Sequence, residues 1–465
     1  MWPIVFLAAF LAILAGCLLK AILNWTRGES QITVNELILG SAIIVIVIAP
    51  LTGLAGWNLA KAEKLSFNEY WNGWEVATSE VPTTCHTNGS CRFTYECNCY
   101  WVTVCDAYDK NGMCTASHQE KRCDECPYFD FERRLYIETT IKTYSFGPLA
   151  PENYKAHKKT SGLPWGFGES DYKTPQLWLD ARDRINSGHP GPVTARMQYD
   201  NYILASEQTI LRQYSDSIDE YKSQNLLPKI VHNITNTYFA DKVSFVGFAP
   251  ADPQGWQRSL NYLNAGFGGE LQGDVHLVIV QNDTISGNPD RYLFAIKAYW
   301  QDPKIWGDDA ISKNSVIVVI GTLDGQTVSW ARATTGMPLG NETLLTAIKD
   351  RFPGAQLTPD TIIGQVQSEF YQKTKKDGTT KLDVRSIHGN GELERLLWGL
   401  DDPGTAFKRV SMHGGSGDGG GFDYLDVEPT KGQKIGILIT AFILSCFIWI
   451  AMAAITNGRR GYNLY

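Results

Sequence analysis

The uncharged run Ile435–Ile455, IGILITAFILSCFIWIAMAAI, restricts what this chain can fold into more than any other stretch. At about 1.5 Å of rise per residue it covers the roughly 30 Å hydrocarbon core of a bilayer as a single helix. Two further apolar runs lie at the other end of the chain. Ile4–Leu19 ends at Lys20, whose ammonium can reach the headgroups, and Leu37–Ala60 contains Pro50, expected to kink it. Trp25 and Trp57 suit the interfacial belt. These runs predict three transmembrane helices with residues 61–433 on one face of the membrane. A cleaved signal would carry Lys or Arg before its apolar core, and none is present. Leu14-Ala15-Gly16-Cys17 resembles a lipobox, but more apolar helix follows it.

Charge does not orient the spans. Lys20, Arg27, Arg459 and Arg460 flank one side, and Lys61, Lys64, Lys431 and Lys434 flank the other. Cysteine does. Eight of the ten cysteines fall in one short segment: Cys85, Cys91, Cys97, Cys99, Cys105, Cys114, Cys123 and Cys126. One reading staples a small β module with four disulfides outside the cytoplasm. The other uses Cys97-x-Cys99, Cys123-x-x-Cys126 and His118 as structural zinc ligands. The spacings lack the paired C-x-x-C knuckles of zinc ribbons and favour disulfides. The body is then expected to be extracytoplasmic and the C-terminus cytoplasmic. Asn88, Asn233, Asn282 and Asn341 begin potential glycosylation tripeptides, which is compatible with that side. Trp71, Trp74 and Trp101 would give the stapled module an aromatic binding surface.

Past the cysteines the pattern becomes that of a layered domain. Tyr202, Ile203, Ile210, Leu211, Tyr214, Ile218 and Tyr221 mark one helical stripe. Ile230–Thr235 and Lys242–Phe248 read as strands, and Gln257–Asn264 as a helix closing at Gly266. His276–Val280 and Ser315–Gly321 are unbroken apolar runs, as in strands covered on both faces. Arg291–Trp300 has helical spacing between them. Asp324-Gly325 predicts a hairpin into Thr327–Ala333. Helices are expected over Asn341–Phe352, Pro359–Tyr371 and Glu392–Trp398. Such alternation gives an α/β layered domain, a mixed sheet with helices on both faces.

The expected divisions are 1–60 (two spans), 61–150 (Cys-rich β module), 151–230 (connection and long helix), 231–410 (α/β domain), 411–433 (Gly-rich tether) and 434–465 (last span and tail). A net charge of -7 with no basic block excludes nucleic acid as the partner.

The order strand, helix ending Lys-Ala-Tyr-Trp300, Ser315-Val-Ile-Val-Val-Ile-Gly321, Asp-Gly hairpin, then Ala-Thr-Thr-Gly336-Met-Pro-Leu-Gly340 resembles the TPM-domain family over about residues 275–375. That resemblance implies a membrane-tethered extracytoplasmic or thylakoid-lumen α/β fold. It also implies weak acid phosphatase activity or divalent-metal binding in some members. The upstream cysteine module departs from the family.

Ligands enter an open α/β sheet at strand ends. Asn282 and Asp283 end the first apolar strand, and Asp308, Asp309 and Asn314 precede the second. As hard oxygen donors, these residues are candidate ligands for Ca²⁺ or Mg²⁺. The competing view makes them turn residues and helix caps. No phosphate loop, H-E-x-x-H or nucleophile elbow occurs. The expected function is therefore protein binding or assembly by a disulfide-stapled ectodomain, with the membrane and other extracytoplasmic or membrane proteins as partners. The alternative is a metal-dependent phosphatase-like enzyme.

Overall fold

The computed structural model describes residues 2–27, 34–84, 94–108, 114–127, 131–151, 172–206, 215–230, 239–337, 339–374, 378–414 and 421–462. Helix α1 is Trp2–Arg27. Helix α2, Val34–Leu65, runs without a break through a π-helical turn at Ile44–Ile48. That turn precedes Pro50, whose missing N–H is absorbed there. Thr52 Oγ1 donates to the Ile48 carbonyl at 2.7 Å.

The chain leaves α2 directly into strand β1, Ser66–Thr84. The ribbon β2 (Thr94–Tyr108) and β3 (Cys114–Pro127) follows, then β4 (Phe131–Thr139) and β5 (Thr143–Leu149). Helix α3 is Gln176–Asn186, β6 is Pro192–Asp200 and helix α4 is Ser215–Ser223. Next come β7 (Val243–Val246), α5 (Pro253–Leu271), β8 (Asp274–Val280), α6 (Pro289–Trp300), β9 (Ser315–Gly321) and β10 (Trp330–Thr335). The chain closes with α7 (Glu342–Arg351), β11 (Gln367–Thr374), β12 (Thr380–Ile387), α8 (Glu392–Trp398) and α9 (Lys431–Tyr462).

The three-span expectation is corrected to two. Among the described residues two helices are long and apolar enough to cross a membrane, Val34–Leu65 and Lys431–Ala451. The described apolar part of α1, Ala9–Ile22, falls short of the roughly 20 residues a span requires. It packs against the last helix: Trp449 of α9 donates its indole N–H to the Ala12 carbonyl at 3.0 Å. Ala9, Ala12, Ile44, Ala49 and Trp449 form a small apolar cluster there. The fold is thus a mixed α/β domain with a disulfide-linked β region and two membrane-length helices, and the localisation built on three spans falls with that count.

Two sheets make the body. The four-stranded sheet has the order β10-β9-β8-β7, with β7, β8 and β9 parallel and β10 antiparallel. Its alternate side chains serve two cores. Leu277, Ile279, Val318 and Ile320 face α5, α7 and α8, while Val278, Val280, Ile317 and Val319 pack with Tyr292, Ile296 and Trp300 of α6. Burial on both faces is why these strands read as unbroken apolar runs.

The six-stranded sheet runs β11-β12-β1-β4-β5, with β6 paired to the first half of β1. Strand β1 changes partner midway, from β6 over Ser66–Trp74 to β4 over Glu75–Thr84. The expected boundary at residue 150 therefore cuts through a sheet that joins residues 66–149 to residues 367–387. Trp71 and Trp74 belong to this sheet and are buried.

Three local expectations differ. Pro359–Tyr371 is a single helical turn, Pro359–Ile362, followed by strand β11. Helix α5 continues past Gly266 to Leu271. A Cβ on Gly268 would lie 2.5 Å from the Asn72 carbonyl oxygen, so this glycine lets the helix lie on the backbone of β1. The stripe over 202–221 divides into a helical turn at Tyr202–Ala205 and α4, with 207–214 outside the described residues. Residues 231–235 of the strand expected at Ile230–Thr235 and the glycine core of the tether also lie outside them. The tether's flanks are fixed: Phe422 N–H donates to the Met412 carbonyl at 2.9 Å, and both side chains are buried.

Candidate functional site

Strands β2 and β3 pair from Thr94↔Pro127 to Tyr108↔Cys114. A two-stranded ribbon has no second layer to bury a face against, and alone it is marginally stable in water. None of its described side chains is buried. Disulfides at three rungs do what a core would do: Cys97–Cys126, Cys99–Cys123 and Cys105–Cys114, with Cα separations of 5.8, 4.0 and 5.8 Å. Cys85 and Cys91 lie outside the described residues. Cys17, exposed, and Cys446, half-buried, are unpaired. The zinc alternative fails because its four cysteines are bonded to one another, and His118 sits instead 2.7 Å from Asp106.

Glu96, Cys99 and Cys123 hold ligand-type atoms within 4.8 Å of one another. Both sulfurs are in one disulfide, so they are not thiolates, and only a single carboxylate remains as a strong donor. The group does not fit a tightly held ion. Between the bridges Tyr100 and Trp101 project into solvent, 53% and 65% exposed.

A second polar constellation lies where β1 crosses the N-terminal ends of β8 and β9. Asp274 and Ser315 face each other at the start of the parallel pair. The Asp274 carboxylate accepts from Lys242 Nζ at 2.8 Å, His276 Nε2 at 2.7 Å and Ser315 Oγ at 2.6 Å. Lys242 also donates to the Tyr70 carbonyl. Burial raises the Asp274 pKa, but the Lys242 and His276 charges and hydrogen bonds outweigh it and hold the carboxyl well below its usual range. Burial also pushes the His276 imidazole below its usual value, against the pull of Asp274.

Beside it Glu69 accepts from Ser312 Oγ (2.8 Å), Asn314 Nδ2 (2.9 Å) and Arg409 Nη2 (3.0 Å). The Arg409 guanidinium lies 4.8 Å over the Trp71 ring. Burial, with Arg409 close by, brings Lys313 down to about 8. The Lys242, Asp274 and His276 side chains are all sealed from solvent, so this layer ties the two sheets together and has no access to a substrate.

The candidate metal ligands do not converge. Asn282 caps the turn Asp283–Gly287 by accepting from the Ile285 N–H, at the C-terminal end of β8. Asp308 and Asp309 lie in the 3-10 turn Gly307–Asp309, upstream of β9 and so at the opposite end of the same strands. Seven residues of strand, roughly 20 Å, separate the two pairs. Asp309 accepts instead from Asn68 Nδ2 at 2.8 Å and from the Tyr70 hydroxyl, and Asn314 is committed to Glu69. Asp324 holds its turn by accepting from the Gln326 and Thr327 N–H groups. Asn341 is buried and bonded to the Lys408 backbone, which leaves no room for a glycan there.

No family model, curated protein or solved structure matches this chain. The residues that carry the TPM resemblance do have clear structural work. Trp300 is buried, donates its indole N–H to the Pro228 carbonyl at 2.8 Å and stands 5.5 Å from the His276 ring. A Cβ on Gly336 would lie 2.2 Å from the Ser312 carbonyl oxygen, and Gly340 has φ +105°. Sequence reasoning missed the Lys242–Asp274–His276 cluster. Its one local signal is a charged residue, Asp274, opening an otherwise apolar strand.

Proposed function

We propose that the chain is a membrane-anchored binding or assembly protein that presents the β2–β3 ribbon to a partner protein. One observation carries this reading. Helix α2 passes into β1 without a linker, and the ribbon follows β1 in the chain, with residues 85–93 between them outside the described residues. The 19 residues of β1 give about 60 Å of strand contour leading away from the membrane helix. The ribbon adds two exposed aromatics, Tyr100 and Trp101, of the residue types that anchor protein interfaces. Disulfides keep it rigid, so little conformational entropy is lost on binding. They also favour an oxidising compartment for the body.

The phosphatase-like alternative needs the acidic residues in one cradle, and their separation along β8 and β9 weighs against it. The TPM resemblance bears on the fold of residues 275–375 more than on a reaction.

The test uses the full chain in its native membrane with a photo-crosslinking residue at Trp101, and as control at Leu323, which is 65% exposed on the body. Adducts with one protein are expected from position 101, lost when Cys99 and Cys123 are both changed to Ser. Equal adducts from position 323, or none from 101, defeat the reading.

A further inference from the structure

Two cavities of about 670 and 590 Å³ open side by side and share Trp74, Pro190, Arg258 and Tyr262 in their walls. Each is within the range of about 300–1,000 Å³ that small ligands fill. Together they make one groove between α5, the segment entering β6, and the start of β11. Its floor is aromatic. The Trp74 ring meets Phe239 edge-on at 5.0 Å and Phe370 at 5.2 Å, and Tyr262 lies 5.6 Å away. Trp74 is locked by its indole N–H donating to Ser368 Oγ at 2.9 Å. Tyr262 is 37% exposed and presents ring surface to the groove.

The walls are unusual for a solvent-facing helix. Gln254, Gln257, Arg258, Asn261 and Tyr262 recur at helical spacing along α5 and all line the groove. An exposed helix face ordinarily carries Lys and Glu, and this one carries planar neutral amides. Gln365 and Gln367 extend the amide wall from the start of β11. Formal charge is low: Arg258 is the one cation common to both halves, and Asp241 in the wall is engaged by Asn261 Nδ2 at 2.8 Å.

We propose that this groove binds a neutral oligosaccharide. Such a ligand has two kinds of surface, apolar C–H faces on each ring and a rim of hydroxyls that both donate and accept. Aromatic rings meet the first, and amides, which also donate and accept, meet the second. Anionic ligands find one guanidinium and, in one half, the His189 imidazole, set against the Asp241 carboxylate in the other. Lipid tails find a wall that is too polar. A peptide adding to β11 finds Glu369 and Lys373 along that strand, charges that discourage strand addition. A sugar ring rests on Tyr262, with Gln257 in one half of the groove and Gln365 in the other to meet the hydroxyls of the chain that passes over it. The site is separate from the ribbon and stands or falls independently of it.

The test titrates the full chain in lipid nanodiscs, because alkyl-glycoside detergents would offer a competing sugar. The probes are tetrasaccharides of β-1,4-linked N-acetylglucosamine, β-1,4-linked glucose and α-1,4-linked glucose, followed by tryptophan fluorescence and calorimetry. At least one is expected to bind saturably. Its affinity should fall about tenfold in Tyr262→Ala and in Gln257→Ala, and stay within about twofold in Tyr262→Phe. Tyr262 and Gln257 are not core residues, so the variants should fold, and an unchanged melting temperature checks this. Absence of saturable binding by all three probes overturns the proposal. So does binding that is unchanged in Tyr262→Ala, or a random octapeptide pool that occupies the groove where the sugars do not.

Discussion

In the β8–β9 pair every side chain from Val275 to Val280 is buried or sealed, whereas the β2–β3 ribbon buries none of its described side chains. Both are hydrogen-bonded strand pairs, yet one is held by apolar cores on two faces and the other by covalent bridges. The difference teaches where each can carry function. A strand pair locked between helices can fix geometry but offers no surface. A stapled ribbon keeps its shape with both faces free for contact. The two regions should therefore respond to opposite insults, the sheet to changes in buried volume or charge and the ribbon to reductant.

The largest expected effect breaks the sheet side of this contrast. Lys242→Met leaves the Asp274 carboxylate buried with its main counter-charge gone, and should destabilise the body by about 3–5 kcal/mol in urea unfolding. Hydrogen exchange of the ribbon amides should not change. A loss below about 1 kcal/mol would mean that water reaches Asp274, and that the seal described above is wrong.

The converse change comes next. Replacing Cys99 and Cys123 with Ser removes a bridge across 24 residues, worth about 3 kcal/mol on the chain-entropy account. Exchange in the ribbon should accelerate accordingly, while the melting temperature of the body stays put. If the body melts earlier as well, the ribbon is part of its core and the contrast fails.

His276 sharpens the sheet side further through pH. Its folded pKa is lowered, so the unfolded chain binds a proton that the native state refuses. Stability is then whole above the unfolded value of about 6.5 and is lost as pH falls from there toward the folded value, by at most about 1.4 kcal/mol per pH unit. Urea unfolding at pH 7.5 and 5.5 checks this. The wild-type loss should exceed that of His276→Asn, and equal losses would put the titration elsewhere.

How much of this was legible in the chain follows from the range of the forces involved. His276–Val280 and Ser315–Gly321 read correctly because two-sided burial leaves its mark in every residue of a strand. Six of the eight clustered cysteines read correctly as disulfides because those bridges lie within one hairpin, and Cys85 and Cys91 lie outside the described residues. Strand β11 did not. Gln367–Thr374 is half exposed, so its alternation of Ser368 and Phe370 with Gln367 and Glu369 is weak, and the Thr358-Pro359 helix start just before it is real but lasts one turn. The glycines of α5 read as a terminus because a close approach to β1 leaves no local trace. The pairing of β12 with β1, at Ala77↔Lys381, and the contact of Lys242 with Asp274 are products of tertiary folding alone. The acidic loops looked like one site because sequence places them near the same two strands, without saying at which end.

The smallest expected effect on stability is the most informative about function. Trp101→Ala removes an exposed ring from a ribbon that bridges already hold, so global stability should change by no more than about 0.5 kcal/mol. Truncating an interface anchor, in contrast, typically costs about 2 kcal/mol or more of binding energy, close to thirtyfold in affinity. The same substitution would thus leave the melting curve intact and abolish adducts from a photo-crosslinking residue placed at exposed Thr103, two residues along the same strand face. In the parallel sheet no such separation exists, because a large side chain there cannot be removed without opening a cavity. If Trp101→Ala shifts melting as much as a core truncation does, the ring is packed in the native membrane, and the ribbon is a structural element like the sheet it was set against.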